Sequence, residues 1–105
     1  MRMATKKSFA DLITEQTLEE LAGDRSFEHG RDYLHRGAVV RLRVDASRIT
    51  ARVAGSETYT TKLWIDEGEL GYDCSCPIGE EGEFCKHLVA TALAWLNHAS
   101  DARGD

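Results

Sequence analysis

Proline occurs once in this 105-residue chain, cysteine three times, and aromatic side chains make up only 8% of it. With so little proline, and with leucine, valine and isoleucine spread along its length, the chain is not a low-complexity linker. Disorder is expected only at residues 1–7 and about 100–105. An odd cysteine count without a secretory signal makes a disulfide framework a poor explanation. The longest apolar run, around residues 88–96, is too short to span a bilayer, and two lysines stand where a signal peptide would need its hydrophobic stretch. A cytoplasmic chain without membrane contact is therefore expected. Its length suits one domain, residues 1–105, with a core but no room for an enzyme's usual scaffold and deep cleft.

Basic residues are not in excess either. The formal charge is −5, which argues against a protein whose main task is gripping phosphate backbones. That sum conceals a split. Residues 25–52 hold seven arginines and carry +4, residues 57–105 carry −7, and residues 1–24 carry −2. Such asymmetry raises the question of what each segment faces.

The three cysteines fall close together. The segment reads Cys74-Ser75-Cys76, eight residues, then Cys85-Lys86-His87. Thiolate sulfur and imidazole nitrogen are the ligands of closed tetrahedral zinc sites, and Cys3His is one of the standard sets. Alternate residues of a strand point the same way, so Cys74 and Cys76 can reach one ion from a strand end that Pro77 terminates. Gly79 and Gly82 let residues 78–84 turn back over the metal, and Cys85 and His87 approach from the first turn of a following helix. Two competing readings are weaker. A Cys74–Cys76 disulfide would close a strained ring and strand Cys85, and inert buried thiols beside a core histidine leave the spacing unexplained. Glu80, Glu81 and Glu83 read as a solvated loop, and His29, His35 and His98 as ordinary surface or core residues.

A C-x-C, a variable gap, a C-x-H and an apolar helix resemble the SWIM-type zinc finger. Upstream, Arg25-Ser26-Phe27-Glu28, Gly30, Tyr33 and Gly37, followed by Arg- and Val-rich strands, resemble the lead-in of bacterial SWIM-containing proteins, so that the likeness covers residues 24–96. It implies that Cys74, Cys76, Cys85 and His87 hold one structural Zn2+. It also implies binding of DNA or of a partner protein, often beside a helicase-like ATPase. No G-x-x-x-x-G-K-[ST] motif is present, so this chain would be the finger without the motor.

Around the site an α+β fold is expected: N-terminal helices over residues 8–37, then a four-stranded antiparallel meander, the zinc-binding loop and a C-terminal helix over residues 38–98. Phe9, Leu12 and Ile13 fit one helix face, and Thr17 with Glu20 makes a capping-box pattern for a second turn with Leu18 and Leu21. Gly23 ends it. Asp24 or Ser26 can cap a third helix that contains Phe27 and Leu34, stops at Gly37, and at Gly30 allows a close backbone approach. From residue 38 the period is two. Val40, Leu42 and Val44 alternate with Arg41 and Arg43, with a turn at residues 45–47. Ile49, Ala51 and Val53 then alternate with Arg48, Thr50 and Arg52. Tyr59, Thr61, Leu63 and Ile65 oppose Thr58, Thr60, Lys62 and Trp64, and a turn at Glu67-Gly68 leads into Leu70, Tyr72 and Cys74. Leu88, Val89, Ala92, Leu93, Trp95 and Leu96 form the stripe that docks the last helix on the sheet.

One sheet face thus gathers Arg41, Arg43, Arg48, Arg52, Lys62 and Trp64, suited to phosphates or carboxylates and to stacking. A plain solvated face, with charges that discourage aggregation, is the competing reading. The functional expectation is a zinc-stabilised interaction module for a partner protein or nucleic acid, with no small-molecule substrate and no catalytic residue. The alternative is a redox or zinc sensor that releases the ion when its thiols oxidise. An enzyme is disfavoured: the H-x-E and P-C-x-x-C pattern of a zinc deaminase is absent, and a cysteine nucleophile would leave two thiols without a role. The terminal Arg103-Gly104-Asp105 reads as chance.

Overall fold

A computed structural model describes residues 8–45 and 47–104, with side chains as far as Ala99. The expectation of disorder at residues 1–7 falls outside the described residues, as do Ala46 and Asp105. The chain runs α1 (Phe9–Leu12), α2 (Glu15–Ala22), α3 (Asp24–His35), β1 (Val39–Val44), β2 (Arg48–Ala54), β3 (Thr58–Asp66), β4 (Glu69–Cys74), α4 (Pro77–Glu80) and α5 (Lys86–Gly104). This is the expected α+β order. At its end the backbone of α5 continues to Gly104, so residues 100–104 are helical rather than irregular.

In the helical lead-in two caps differ from expectation. Thr14, with extended backbone, is the N-cap of α2 and accepts the Thr17 N–H at 3.1 Å, so Thr17 lies inside the helix and starts no capping box. The chain breaks there because Ile13 turns into the core. Gly23, at φ +85°, ends α2 and is the N-cap position of α3, which makes Asp24 the first helical residue and leaves neither it nor Ser26 as cap. α3 closes as sequence suggests. Gly37 at φ +75° donates to the Leu34 carbonyl and Ala38 to that of Tyr33, the two bonds of a Schellman motif.

The sheet is an antiparallel meander in the order β1-β2-β3-β4. Register places Ile49 opposite Leu63 and Leu63 opposite Tyr72, with Thr61 opposite Cys74 on the same inner face. Alternation along β2, β3 and β4 is as expected. β1 departs from it. Between Val40 and Arg43 its register against β2 slips, with Arg41 at φ +54°, so two β1 residues oppose one on β2. The bulge changes the phase: Val39 and Leu42 turn inward, while Val40, expected in the core, faces outward and is 42% exposed. Val44 is exposed too, at the sheet edge.

α5 packs on the inner face of the sheet, and α3 packs on α5 from the other side. A helix covered on two sides needs apolar or small residues almost all round, which is why Ala90 and Thr91 are as buried as Leu88, Val89 and Ala92. A single cluster of buried side chains runs from Phe9, Ile13, Leu18 and Phe27 through Ile49 and Leu63 to Leu88 and Trp95. α3 comes so close to α5 that a Cβ at Gly30 would lie 2.5 Å from Val89 Cβ and 2.8 Å from the Lys86 carbonyl oxygen. Gly30→Ala is therefore expected to destabilise the fold by roughly 1–3 kcal/mol through overpacking, despite alanine's better helix propensity. A thermal melt reads this directly. An unchanged midpoint would mean that the two helices do not pack this tightly.

Candidate metal centre

Cys74 is the last residue of β4, and its side chain follows Tyr72 and Leu70 onto the inner face. Two residues on, Cys76 caps α4, and its sulfur accepts the Gly79 N–H at 3.2 Å. Pro77 occupies the first helical position, where its missing N–H costs nothing. The segment expected only to turn back thus contains a short helix before the turn at Gly82, which has φ +91°. Gly79 serves by its size, because a Cβ there would lie 2.6 Å from the Cys74 carbonyl oxygen. Phe84 is buried, with its ring 4.8 Å from that of Tyr72 in an edge-on contact, and this pins the loop to β4. Cys85 immediately precedes α5, and His87 lies in its first turn.

The four side chains converge. Their ligand atoms all lie within 4.8 Å of one another, and His87 Nδ1 is 3.8 Å from the sulfurs of both Cys74 and Cys85. Tetrahedral ligands about 2.0–2.3 Å from a zinc ion stand roughly 3.5–3.8 Å apart. The two histidine–sulfur separations match this, and the whole set, within 4.8 Å, needs at most about 1 Å of closure to hold a single small ion. All three cysteines are free thiols, which removes the disulfide reading. None of the four residues is more than 4% exposed. Glu80, Glu81, Glu83, His29, His35 and His98 are all exposed and outside the cluster, as expected.

Electrostatics within the cluster also suit a cation. The Cys85 thiol is held down at about 4, chiefly by the hydrogen bond from Cys74 and against its own burial, with His87 and the Leu88 N–H assisting. The same hydrogen bond and burial push the Cys74 thiol well up. One thiol of the pair is thus favoured as thiolate, the form in which cysteine binds a cation. Cys74, Cys76, Cys85 and His87 would hold it, and with four protein ligands it would act as a structural cross-link.

Several supporting residues were not singled out by sequence. The Tyr59 ring lies 4.6 Å from that of His87, and the Tyr33 ring of α3 meets it edge-on at 5.3 Å. Behind the site, Thr61 of β3 and Thr91 of α5 are both fully buried, with hydroxyl oxygens 2.6 Å apart. Thr91 Oγ1 is also 3.0 Å from the His87 carbonyl, and Thr61 Oγ1 is 3.3 Å from that of Ala51. Two hydroxyl protons cannot serve three contacts. The shorter distances favour Thr61 donating to Thr91 and Thr91 to the His87 carbonyl, a relay that fixes the first turn of α5 to the sheet.

The outer-face residues divide as follows. Register places Arg48 opposite Trp64, Thr50 between Arg43 and Lys62, and Arg52 opposite Val40 and Thr60. Arg41 reaches this group through the bulge, and it lines a shallow depression with Arg43, Thr50, Arg52 and Thr60. All six residues named from sequence are thus on or beside one face. Asp73, opposite Lys62, and the paired Asp66 and Glu69 bound it on the β4 side.

Residues 59–96 match the family model of the SWIM zinc finger. The match spans β3, β4, the metal-ligand loop and most of α5, and the lead-in through β2 lies outside it. No curated protein and no solved structure matches the chain. Stripping zinc with a chelator is expected to unfold the chain at least from Tyr72 onward, since structural zinc contributes roughly 10–16 kcal/mol in finger peptides against a net domain stability of about 5–15 kcal/mol. Acidification should do the same, because protons compete with zinc for the sulfurs and the imidazole. Circular dichroism followed alongside zinc content tests both routes. A metal-free chain with an unchanged spectrum would contradict them.

Proposed function

We propose that this SWIM zinc finger works as a docking module, in which zinc holds the fold and the outer sheet face binds a partner protein or nucleic acid. The observation that carries this is a set of unused cations. Among the described residues the one salt bridge is Arg36 to Asp32, at 3.1 Å. The cation–π contacts likewise use Arg31 on Phe27, and Arg36 and Lys86 on Tyr33. Arg41, Arg43, Arg48, Arg52 and Lys62 have neither kind of partner there. Arg31 of α3 and Arg36 at its end are engaged within the chain, and Arg25 stands alone on that helix, whereas the sheet gathers Arg41, Arg43, Arg48, Arg52 and Lys62 on or beside one face, which favours the sheet over α3 as the contact surface.

A sensor that loses zinc on oxidation is less well supported, because oxidation follows thiol exposure and these sulfurs are at most 3% exposed. Nor does the reading assign catalysis: a zinc ion with four protein ligands has no open position for substrate or water. Reduced thiols suit the cytoplasm, where we place the chain. No helix among the described residues is long and apolar enough to cross a membrane.

Retention on immobilised heparin tests the face as a polyanion contact. The zinc-loaded parent should be retained at low salt and elute early as salt rises, and the double variant Arg43→Glu/Arg52→Glu should pass through with its zinc content unchanged. Identical elution of parent and variant would reduce the face to ordinary solvated surface.

A further inference from the structure

Resting on the docking-module reading, we infer that the outer sheet face binds single-stranded nucleic acid, with Trp64 as a stacking platform for an unpaired base. Trp64 projects from β3 on this face, with Tyr72 of β4 lining a depression beside it, and it is seated on backbone. Directly opposite it on β4 stands Gly71, where a Cβ would fall 2.8 Å from indole Cδ1 and closer still to Nε1 and Cε2. Only glycine lets the ring lie so close to the strand, which holds it in place while the residue stays half-buried.

The neighbours complete the surface. Arg48 stands across from Trp64 on β2, and Lys62 lies two residues away on the same face. The depression beside the ring, of about 450 Å3, is lined by the polar Ser47, Arg48, Lys62 and Asp73 and by the apolar surfaces of Trp64, Ile65 and Tyr72. Arg41, Arg43 and Arg52 continue the cationic surface over β1 and β2. The charge is polarised across the strands, with arginines over β1 and β2, and with Asp73 and Glu69 on β4 and Asp66 at the end of β3; Lys62 of β3 faces Asp73. A polyanion with its charge along one side and flat rings along the other fits this division. Its phosphates would lie over the arginines, and its bases would turn towards Trp64. An acidic peptide satisfies the arginines but makes no use of the seated ring. Duplex DNA is read by a helix or a narrow ribbon that enters a groove, with its bases stacked out of reach of a side-chain ring on a four-stranded face. Unpaired bases, by contrast, stack readily on aromatic side chains of such surfaces.

The experiment measures binding of the zinc-loaded full chain to three probes at two salt concentrations. They are a labelled mixed-sequence DNA single strand of about 12 nucleotides, its duplex, and a polyglutamate peptide. The single strand should bind more tightly than the duplex, weaken steeply with salt, and quench indole emission, for which buried Trp95 serves as a constant background. Trp64→Leu should weaken single-strand binding on the order of tenfold or more, with zinc content unchanged, and Trp64→Phe should restore most of it. Quenching in the parent needs no variant, so the inference stays testable if Trp64→Leu folds poorly. Equal binding of duplex and single strand, or an unquenched indole, overturns the stacking role. Polyglutamate bound through Arg43 and Arg52 while the single strand is not bound overturns this inference and leaves the docking module standing. If no probe distinguishes the parent from Arg43→Glu/Arg52→Glu, both readings fall.

Discussion

Three sulfurs and one imidazole nitrogen meet where β4 ends and α5 begins, and the rest of the fold is arranged around that junction. α5 is the middle layer, between α3 and the sheet, so fixing its first turn fixes both packing surfaces. Two ties hold it. The cysteine–histidine cluster joins its start to the end of β4, and the Thr61–Thr91 contact joins its second turn to β3. Each is buried and polar, and each requires its partners to be in register, since an unsatisfied hydroxyl or an unpaired thiolate in this core would cost several times what the contact contributes. Their agreement on one placement of the helix specifies the register of the sheet as well as stabilising it.

The same junction governs the distribution of charge. Three thiolates and one divalent ion sum to −1, and Glu80, Glu81 and Glu83 are exposed on the loop that follows Cys76. Cys74 points inward from β4, while the arginines of β2 point outward, so the sheet separates the anionic centre from the cationic surface. The cations therefore gain little from the cluster and repel one another. Such an arrangement costs the isolated chain some stability, a cost that any polyanion bound to the face would relieve.

Most of this was legible in the sequence because it rests on local rules. The cluster was readable from spacing alone, as a strand end presents alternate residues on one side and a helix start presents the other two ligands. The β3–β4 hairpin was readable from Glu67-Gly68, whose backbone takes φ +52° and +81°, as the right-handed twist of a hairpin favours. What was not legible depends on contacts distant in sequence or on backbone irregularity. Nothing around Tyr33 shows that its ring will meet His87, and nothing at Thr91 distinguishes a relay hydroxyl from a surface one. The shift of the α2 cap from Thr17 to Thr14 follows from the burial of Ile13, a tertiary demand that overrides the local pattern. The bulge in β1 was invisible for a similar reason: alternation over residues 40–44 looks perfect, yet Arg41 adopts a left-handed backbone.

That bulge bears on why the arginines are there. β1 is an edge strand, and a bulge with charged side chains is a known way to keep such an edge from pairing with another chain. Protection of the edge therefore accounts for Arg41 and Arg43. It does not account for Arg48 and Arg52 on β2 or Lys62 on β3, because those strands are paired on both sides and have no edge to protect. Solubility alone does not require them to share one sign, since mixed charges solvate a face equally well and without self-repulsion. Nor does it require a tryptophan beside them, seated on a glycine that weakens its own strand. A flat, charged ligand of the proposed kind, lying across the strands, would account for the interior-strand cations and the backbone-seated indole together.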